Sequence, residues 1–150
     1  NRYVAGLLTA YTNLRVIPGF KKIKGLQMGT DVGDVDVLVI DLVGHRILAI
    51  ECKQLASAHS PQELRWELDG LFGGDNSRVA KHLRRVQWLL DHWGRFLAEL
   101  HLDPSVEWHL EPVMVVDAEL FAPHYQQPPF PVVSIPELPG WLASKGLRPS

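Results

Sequence analysis

The stretch Gly33-Asp34-Val35-Asp36-Val37-Leu38-Val39-Ile40-Asp41, followed after a short link by Ile47-Leu48-Ala49-Ile50-Glu51-Cys52-Lys53, decides how the chain is read. Both are apolar runs of strand length, and both carry charges where a purely structural strand prefers Val or Ile. Side chains alternate faces along a strand, so Asp34 and Asp36 share one face, and Glu51 and Lys53 share a face of the next strand. The link, residues 42–46 with Gly44 near its middle, is short enough for an antiparallel hairpin that brings Asp36 within reach of Glu51. Two carboxylates that meet repel each other, and a hard divalent cation offsets that best. Mg2+ typically takes one or two carboxylates, with waters and phosphate oxygens completing its shell. Lys53 beside them would orient or help activate an attacking water, or steady charge developing on a phosphate.

Working outward, the 150 residues, 46% hydrophobic and 21% charged, have the size of one ordinary domain with a full core, and residues 1–150 read as a single unit. A formal charge of −2 means that any nucleic-acid surface is local. Cys52 is the only cysteine, which excludes an internal disulfide and a multi-cysteine zinc site and fits a reducing cytoplasm. No apolar run reaches membrane-span length and no signal-peptide pattern opens the chain, so no membrane association is expected. A start at Asn1, without Met and already in an apolar segment, suggests a piece of a longer protein. The 7 histidines form no H-x-x-x-H or H-x-H pair. His45 is expected in the hairpin turn, and His82 and His92 at a helix surface or boundary. No Walker-type loop and no G-x-S-x-G elbow occurs.

The remaining elements alternate. Residues 2–14 place Val4, Leu7, Leu8 and Tyr11 at helical spacing and contain no acid. Residues 16–28, with Pro18, Gly19 and Gly25, read as a first strand or ribbon interrupted by turns. Its Lys21, Lys22 and Lys24 could meet phosphates or form a solvated edge. Residues 29–33 are a loop. Ser60-Pro61-Gln62-Glu63 has capping-box spacing and starts a helix to about Phe72, broken by Gly73-Gly74-Asp75-Asn76. Ser77 caps the next helix, which is expected to run unbroken to about Leu100. Its Val79, Leu83, Val86, Leu90, Trp93, Leu97 and Leu100 form an apolar stripe, with Lys81, Arg84, Arg85, Trp88, His92 and Arg95 opposite. That basic face is either a track for a nucleic-acid backbone or a solvated face whose Trp touches a neighbouring element or a missing part of the chain. The heptad spacing permits a partner helix, but packing on a sheet is the simpler expectation. Residues 112–117 read as a strand buried on both faces, 122–131 as a Pro-rich loop, and 131–135 as a second short strand. Ser134-Ile135-Pro136-Glu137 again has capping-box spacing and opens a short helix over 137–145 that ends at Gly146. The whole is an α/β architecture, a central mixed sheet flanked by helices.

In this order the chain resembles the PD-(D/E)xK nuclease superfamily. Helix, strand, strand with Asp36, strand with Glu51-Cys52-Lys53, helix and strand match its restriction-endonuclease-like αβββαβ core, and Gly33-Asp34-Val35-Asp36 looks like the lead-in of its bacterial members. The motif itself covers only residues 33–54. The resemblance implies Asp36 and Glu51 as ligands of Mg2+ (or Mn2+), the carbonyl of Cys52 as a third, Lys53 as the catalytic lysine and Asp34 as auxiliary. Val35 stands where the family's nominal proline would be. The glutamate that many members carry on the first helix is missing from residues 2–14; it is absent, lies upstream of Asn1, or is replaced by Asp31 or Asp34. For the Gln or Lys that many members place on the following helix, Gln54, Gln62 and Lys81 are candidates.

The function so implied is metal-dependent hydrolysis of DNA phosphodiester bonds, an endonuclease-type activity. Lys21, Lys22, Lys24, Arg78 and Lys81 would grip the nucleic acid, in a homodimer or beside further domains. The alternative is a nuclease-fold module that has lost turnover and binds nucleic acid or a protein partner. A structural reading also stands beside both, with Asp36 and Asp41 at solvent-facing or terminal strand positions and Glu51 and Lys53 as a same-face ion pair.

Overall fold

The two acid-bearing runs become neighbouring strands of one sheet in a computed structural model that describes residues 2–29, 32–54, 60–74, 77–117 and 128–150. In chain order the elements are α1 (Arg2–Leu8), β1 (Leu14–Phe20), a small hairpin of β2 (Lys22–Ile23) and β3 (Leu26–Gln27), then β4 (Val35–Asp41) and β5 (Arg46–Lys53). Three helices follow, α2 (Pro61–Phe72), α3 (Arg78–Asp91) and α4 (Trp93–Glu99), and then β6 (His109–Val116), β7 (Val132–Ser134) and α5 (Leu138–Ser144). The five-stranded sheet has the order β1-β4-β5-β6-β7, with β5 in the middle. β4 is antiparallel to both β1 and β5, in the register Val37↔Ile50, while β6 and β7 run parallel to β5. Mixed pairing with helices on both faces agrees with the expected α/β architecture.

Strand alternation divides the core in two. Val37, Val39, Leu48 and Ile50 point to one side and pack with Val4 and Leu8 of α1 and Leu138 and Leu142 of α5. Leu38, Ile40, Ile47 and Ala49 point to the other, against Val86 and Leu89 of α3 and Phe96 and Leu97 of α4. Burying a Val, Leu or Ile is worth roughly 1.5–3 kcal/mol each. A one-residue slip of β4 or β5 would turn every one of these outward, which fixes the register that also places the acids.

The expected helix starts are present. Ser60 accepts from Glu63 N at 3.1 Å, and Ser77 from Ala80 N at 3.1 Å. Ser134 and Glu137 form a reciprocal box, with Glu137 N donating to Ser134 Oγ (3.3 Å) and Ser134 Oγ to Glu137 Oε1 (2.5 Å). Gly146, at φ 81°, ends α5. The β4–β5 turn is organised by Asp41, which accepts from Gly44 N (2.9 Å) and Val43 N (3.2 Å) and pairs with Arg46 at 3.2 Å. A Cβ on Gly44 would run into the Asp41 carboxylate, so Asp41 is a turn-building residue. His45 is in this turn and exposed, as expected. No helix among the described residues is long and apolar enough to cross a membrane.

Several expectations need correction. The first helix stops at Leu8, because residues 14–20 are drawn into the ladder with β4; Tyr11 is still buried, beside Leu8. The long helix is broken at His92, whose Nδ1–H donates to the Trp88 carbonyl at 2.7 Å. That ring takes the acceptor which the His92 backbone N–H would use in a continuous helix, and the N–H turns to Leu89 O at 3.2 Å. The buried face of α3 is also rotated from the apolar stripe. Leu83 and Leu90 are exposed, while Val79, His82, Arg85, Val86 and Leu89 are buried. The helix packs on the sheet, and two polar residues can lie beneath it because the sheet supplies their partners. Trp88 is half-buried against the core, its ring tilted against that of His92 with centroids 4.4 Å apart. β6 begins earlier than expected, at His109, and only Val113–Val116 of it are buried on both faces. Asp31 and most of the 122–131 loop lie outside the described residues.

Candidate metal centre

Counting by twos from the core positions places Asp36, Glu51 and Lys53 on the α3 side of the sheet, in line with Leu38, Ile40, Ile47 and Ala49. There β4 and β5 end beside the start of α3 and leave an open cleft of about 690 Å3, lined by Gly33, Asp34, Asp36, Glu51, Cys52, Lys53, Gln54, Arg78 and Arg85. The structure thus brings together Asp34, Asp36, Glu51, Cys52, Lys53, Gln54 and Arg78. Asp34 is exposed, just ahead of β4, and Gln54 is exposed just past β5. It does not bring Lys21, Lys22, Lys24, Gln62 or Lys81 to the cleft lining. The first three are exposed on or beside the β2–β3 hairpin, which leans on α4 through a bond from Lys24 N to Glu99 (3.2 Å).

Asp36 is held by the next strand, its Oδ2 accepting from Cys52 N at 2.8 Å. Glu51 is buried and within hydrogen-bond reach of the Asp36 side chain, and its pKa is raised to about 7. Burial is the largest cause and the Asp36 charge the next; Arg85 and Arg78 pull the other way without cancelling them. The Cys52 side chain faces the opposite layer, among the α1 and α5 contacts, where burial pushes its thiol up to about 11. Only its backbone belongs to the site. Lys53 is half-buried and has no salt-bridge partner among the described residues.

The residue that sequence reasoning misplaced is Arg85. Assigned to a basic outer face, it is instead 7% exposed and spans the floor of the cleft. Its Nη1 donates to Glu51 Oε2 at 2.7 Å and its Nε to the Val32 carbonyl at 2.8 Å. Gly33, at φ 75°, passes so close that a Cβ there would lie 3.1 Å from Arg85 Nη2. His82, one turn earlier, is fully buried and donates Nε2–H to Ala49 O at 2.8 Å, correcting its expected surface or boundary position. The signal was present in the spacing: His82 and Arg85 fall in phase with Val79, Val86 and Leu89. Arg78 reaches the other Glu51 oxygen at 3.8 Å.

Among the described residues no group of three or more His, Cys, Asp or Glu side chains gathers to hold a metal. The cleft is lined by the carboxylates of Asp36 and Glu51, with exposed Asp34 beside them, and the Cys52 thiol is turned away. That set suits a hard cation that keeps several waters, and does not suit zinc. A carboxylate pushed towards neutrality by burial and then by a second carboxylate is a place where a cation is favoured, so the residues fit Mg2+ or Mn2+. No family model, curated protein or solved structure matches the chain.

Proposed function

We propose that the chain is a metal-dependent nuclease domain of the PD-(D/E)xK type, hydrolysing DNA phosphodiester bonds. One observation carries this reading: Asp36 and Glu51 meet across adjacent antiparallel strands at the mouth of a cleft, with Lys53 two residues further on the same face. The strand pairing, two antiparallel neighbours and then a parallel one after the helices, supports a restriction-endonuclease-like fold. Asp36 and Glu51 would hold Mg2+ or Mn2+, with the Cys52 carbonyl as a further oxygen ligand. A bound cation there would supply charge neutralisation and a more acidic water. Lys53 orients that water or meets the scissile phosphate, and Arg78, half-exposed at the rim, offers a second contact to the substrate backbone. The single thiol, with no second cysteine to pair with, is compatible with a reducing, cytoplasmic setting. A second copy or further domains would extend the grip that one small cleft provides.

The second reading, a nuclease-fold module without turnover that binds nucleic acid or a protein partner, draws on the Arg85–Glu51 bond, which occupies one carboxylate oxygen. Incubation of plasmid and linear DNA with Mg2+ or Mn2+ separates the two. Cleavage that disappears in Asp36→Ala, Glu51→Ala and Lys53→Ala supports the enzyme; cleavage that survives all three, or its absence from the wild type, refutes it.

A further inference from the structure

The two oxygens of each carboxylate are not equivalent. Glu51 Oε2 takes a short charge-assisted bond from Arg85 (2.7 Å), while the guanidinium nearest Oε1 among the described residues, that of Arg78, is 3.8 Å away. Asp36 Oδ2 takes the Cys52 N–H at 2.8 Å, and among the described residues its other oxygen accepts no protein N–H. Each acid therefore has one oxygen held by a protein N–H within 2.8 Å and one that is not, and both residues line the cleft.

Arg85 is not easily moved aside. It is 7% exposed, its Nε is committed to the Val32 carbonyl, and Gly33 closes over its guanidinium. Releasing Glu51 Oε2 would leave a buried guanidinium short of its counter-charge, which is strongly unfavourable. Ca2+ takes about six to eight oxygens and readily uses both oxygens of a carboxylate. Mg2+ demands a compact octahedron, with one oxygen from each of one or two carboxylates and water for the rest.

We propose that Arg85 is a specificity-determining positioning residue: by holding Glu51 Oε2, as the Cys52 N–H holds Asp36 Oδ2, it restricts both acids to one-oxygen ligation and so selects Mg2+ or Mn2+ over Ca2+. The inference rests on the metal-site reading above and adds the residue that sets the choice against Ca2+.

The test is calorimetric titration of Mn2+, Mg2+ and Ca2+ into the wild type and Arg85→Met, which keeps the packed stem and removes the donors, with circular dichroism to verify the fold. A crystal of the wild type soaked in Mn2+ accompanies it. The expected result is Glu51 bound through Oε1 alone with Arg85 still on Oε2, and a Ca2+ to Mg2+ affinity ratio at least about tenfold higher in the variant, about 1.4 kcal/mol. A ratio unchanged within about twofold, or an ion held by both Glu51 oxygens, overturns the inference and leaves the metal site standing. No Mn2+ binding by the wild type removes the metal site and the inference with it. If Arg85→Met does not fold, the soaked wild-type crystal decides alone.

Discussion

His82 donates its Nε2–H to the carbonyl of Ala49 across 2.8 Å, pinning α3 to β5 two residues before Glu51. The other ring nitrogen, Nδ1, is buried with no hydrogen-bond partner among the described residues, and the Phe130 ring lies 5.4 Å away edge-on. A proton on Nδ1 would be a charge with nothing to solvate it, and burial lowers the pKa of His82 to about 4. His82→Ala removes the bond and leaves a cavity, and is expected to cost about 2–4 kcal/mol in urea denaturation. A loss below about 1 kcal/mol would show that the contact is not holding the helix.

Acid acts on His82 and Glu51 with opposite signs. The fold favours neutral His82, so its contribution is complete above the ordinary value of 6.5 and is lost as pH falls through about 4. Glu51, raised from 4.5 to about 7, is also favoured neutral; its contribution is complete below 4.5 and is lost as pH rises through about 7. Each group changes stability by at most ~1.4 kcal/mol per pH unit. Without metal, Glu51→Gln should therefore gain on the wild type as pH rises from 4.5 to 7. Parallel stability profiles over that range would contradict the raised pKa of Glu51.

Lys53 and Glu51 should separate when binding and turnover are measured independently. Lys53→Met is expected to keep Mn2+ affinity within about threefold while cleavage falls by at least about a hundredfold, because the lysine is not a ligand. Glu51→Gln should lose both. A Lys53→Met protein that cleaves normally would leave the metal without a partner in the proposed chemistry.

Two glycine substitutions test the packing. Gly44→Ala thrusts a methyl group into the Asp41 carboxylate that organises the β4–β5 turn, and should lower stability by about 1–3 kcal/mol. Gly70→Ala, inside α2 with open space around the new methyl, should raise it by about 0.5–1 kcal/mol. Thermal melts of the pair that move in the same direction would contradict this local picture.

How far the sequence could be read depended on which force decided each element. Period-two alternation and a short Gly-containing link were enough to pair β4 with β5 and to put Asp36 beside Glu51, because one buried face on each side leaves a single register. The caps at Ser60 and Ser77, and the Ser134–Glu137 bonds in the turn that leads into α5, were equally legible, since they are local. The phase of α3 was not. Counting apolar residues favoured Leu83 and Leu90, whereas the sheet offered a carbonyl at Ala49 and a carboxylate at Glu51 that let His82 and Arg85 go under instead. The spacing put His82 and Arg85 in phase with Val79, Val86 and Leu89, but their partners are far away in sequence, so periodicity alone gave no reason to bury two polar residues. The break at His92 was hidden for a similar reason, because it depends on which acceptor a single ring takes.

Alternation along β5 has one more outcome. Cys52 stands between two cleft residues, yet its thiol lies in the layer of α1 and α5. An alkylating probe at this unique sulfur would sense loosening of those helices and ignore traffic through the cleft. The chain thus carries a built-in reporter for its rear layer, one peptide bond from each of two of the residues on which hydrolysis would depend, Glu51 and Lys53.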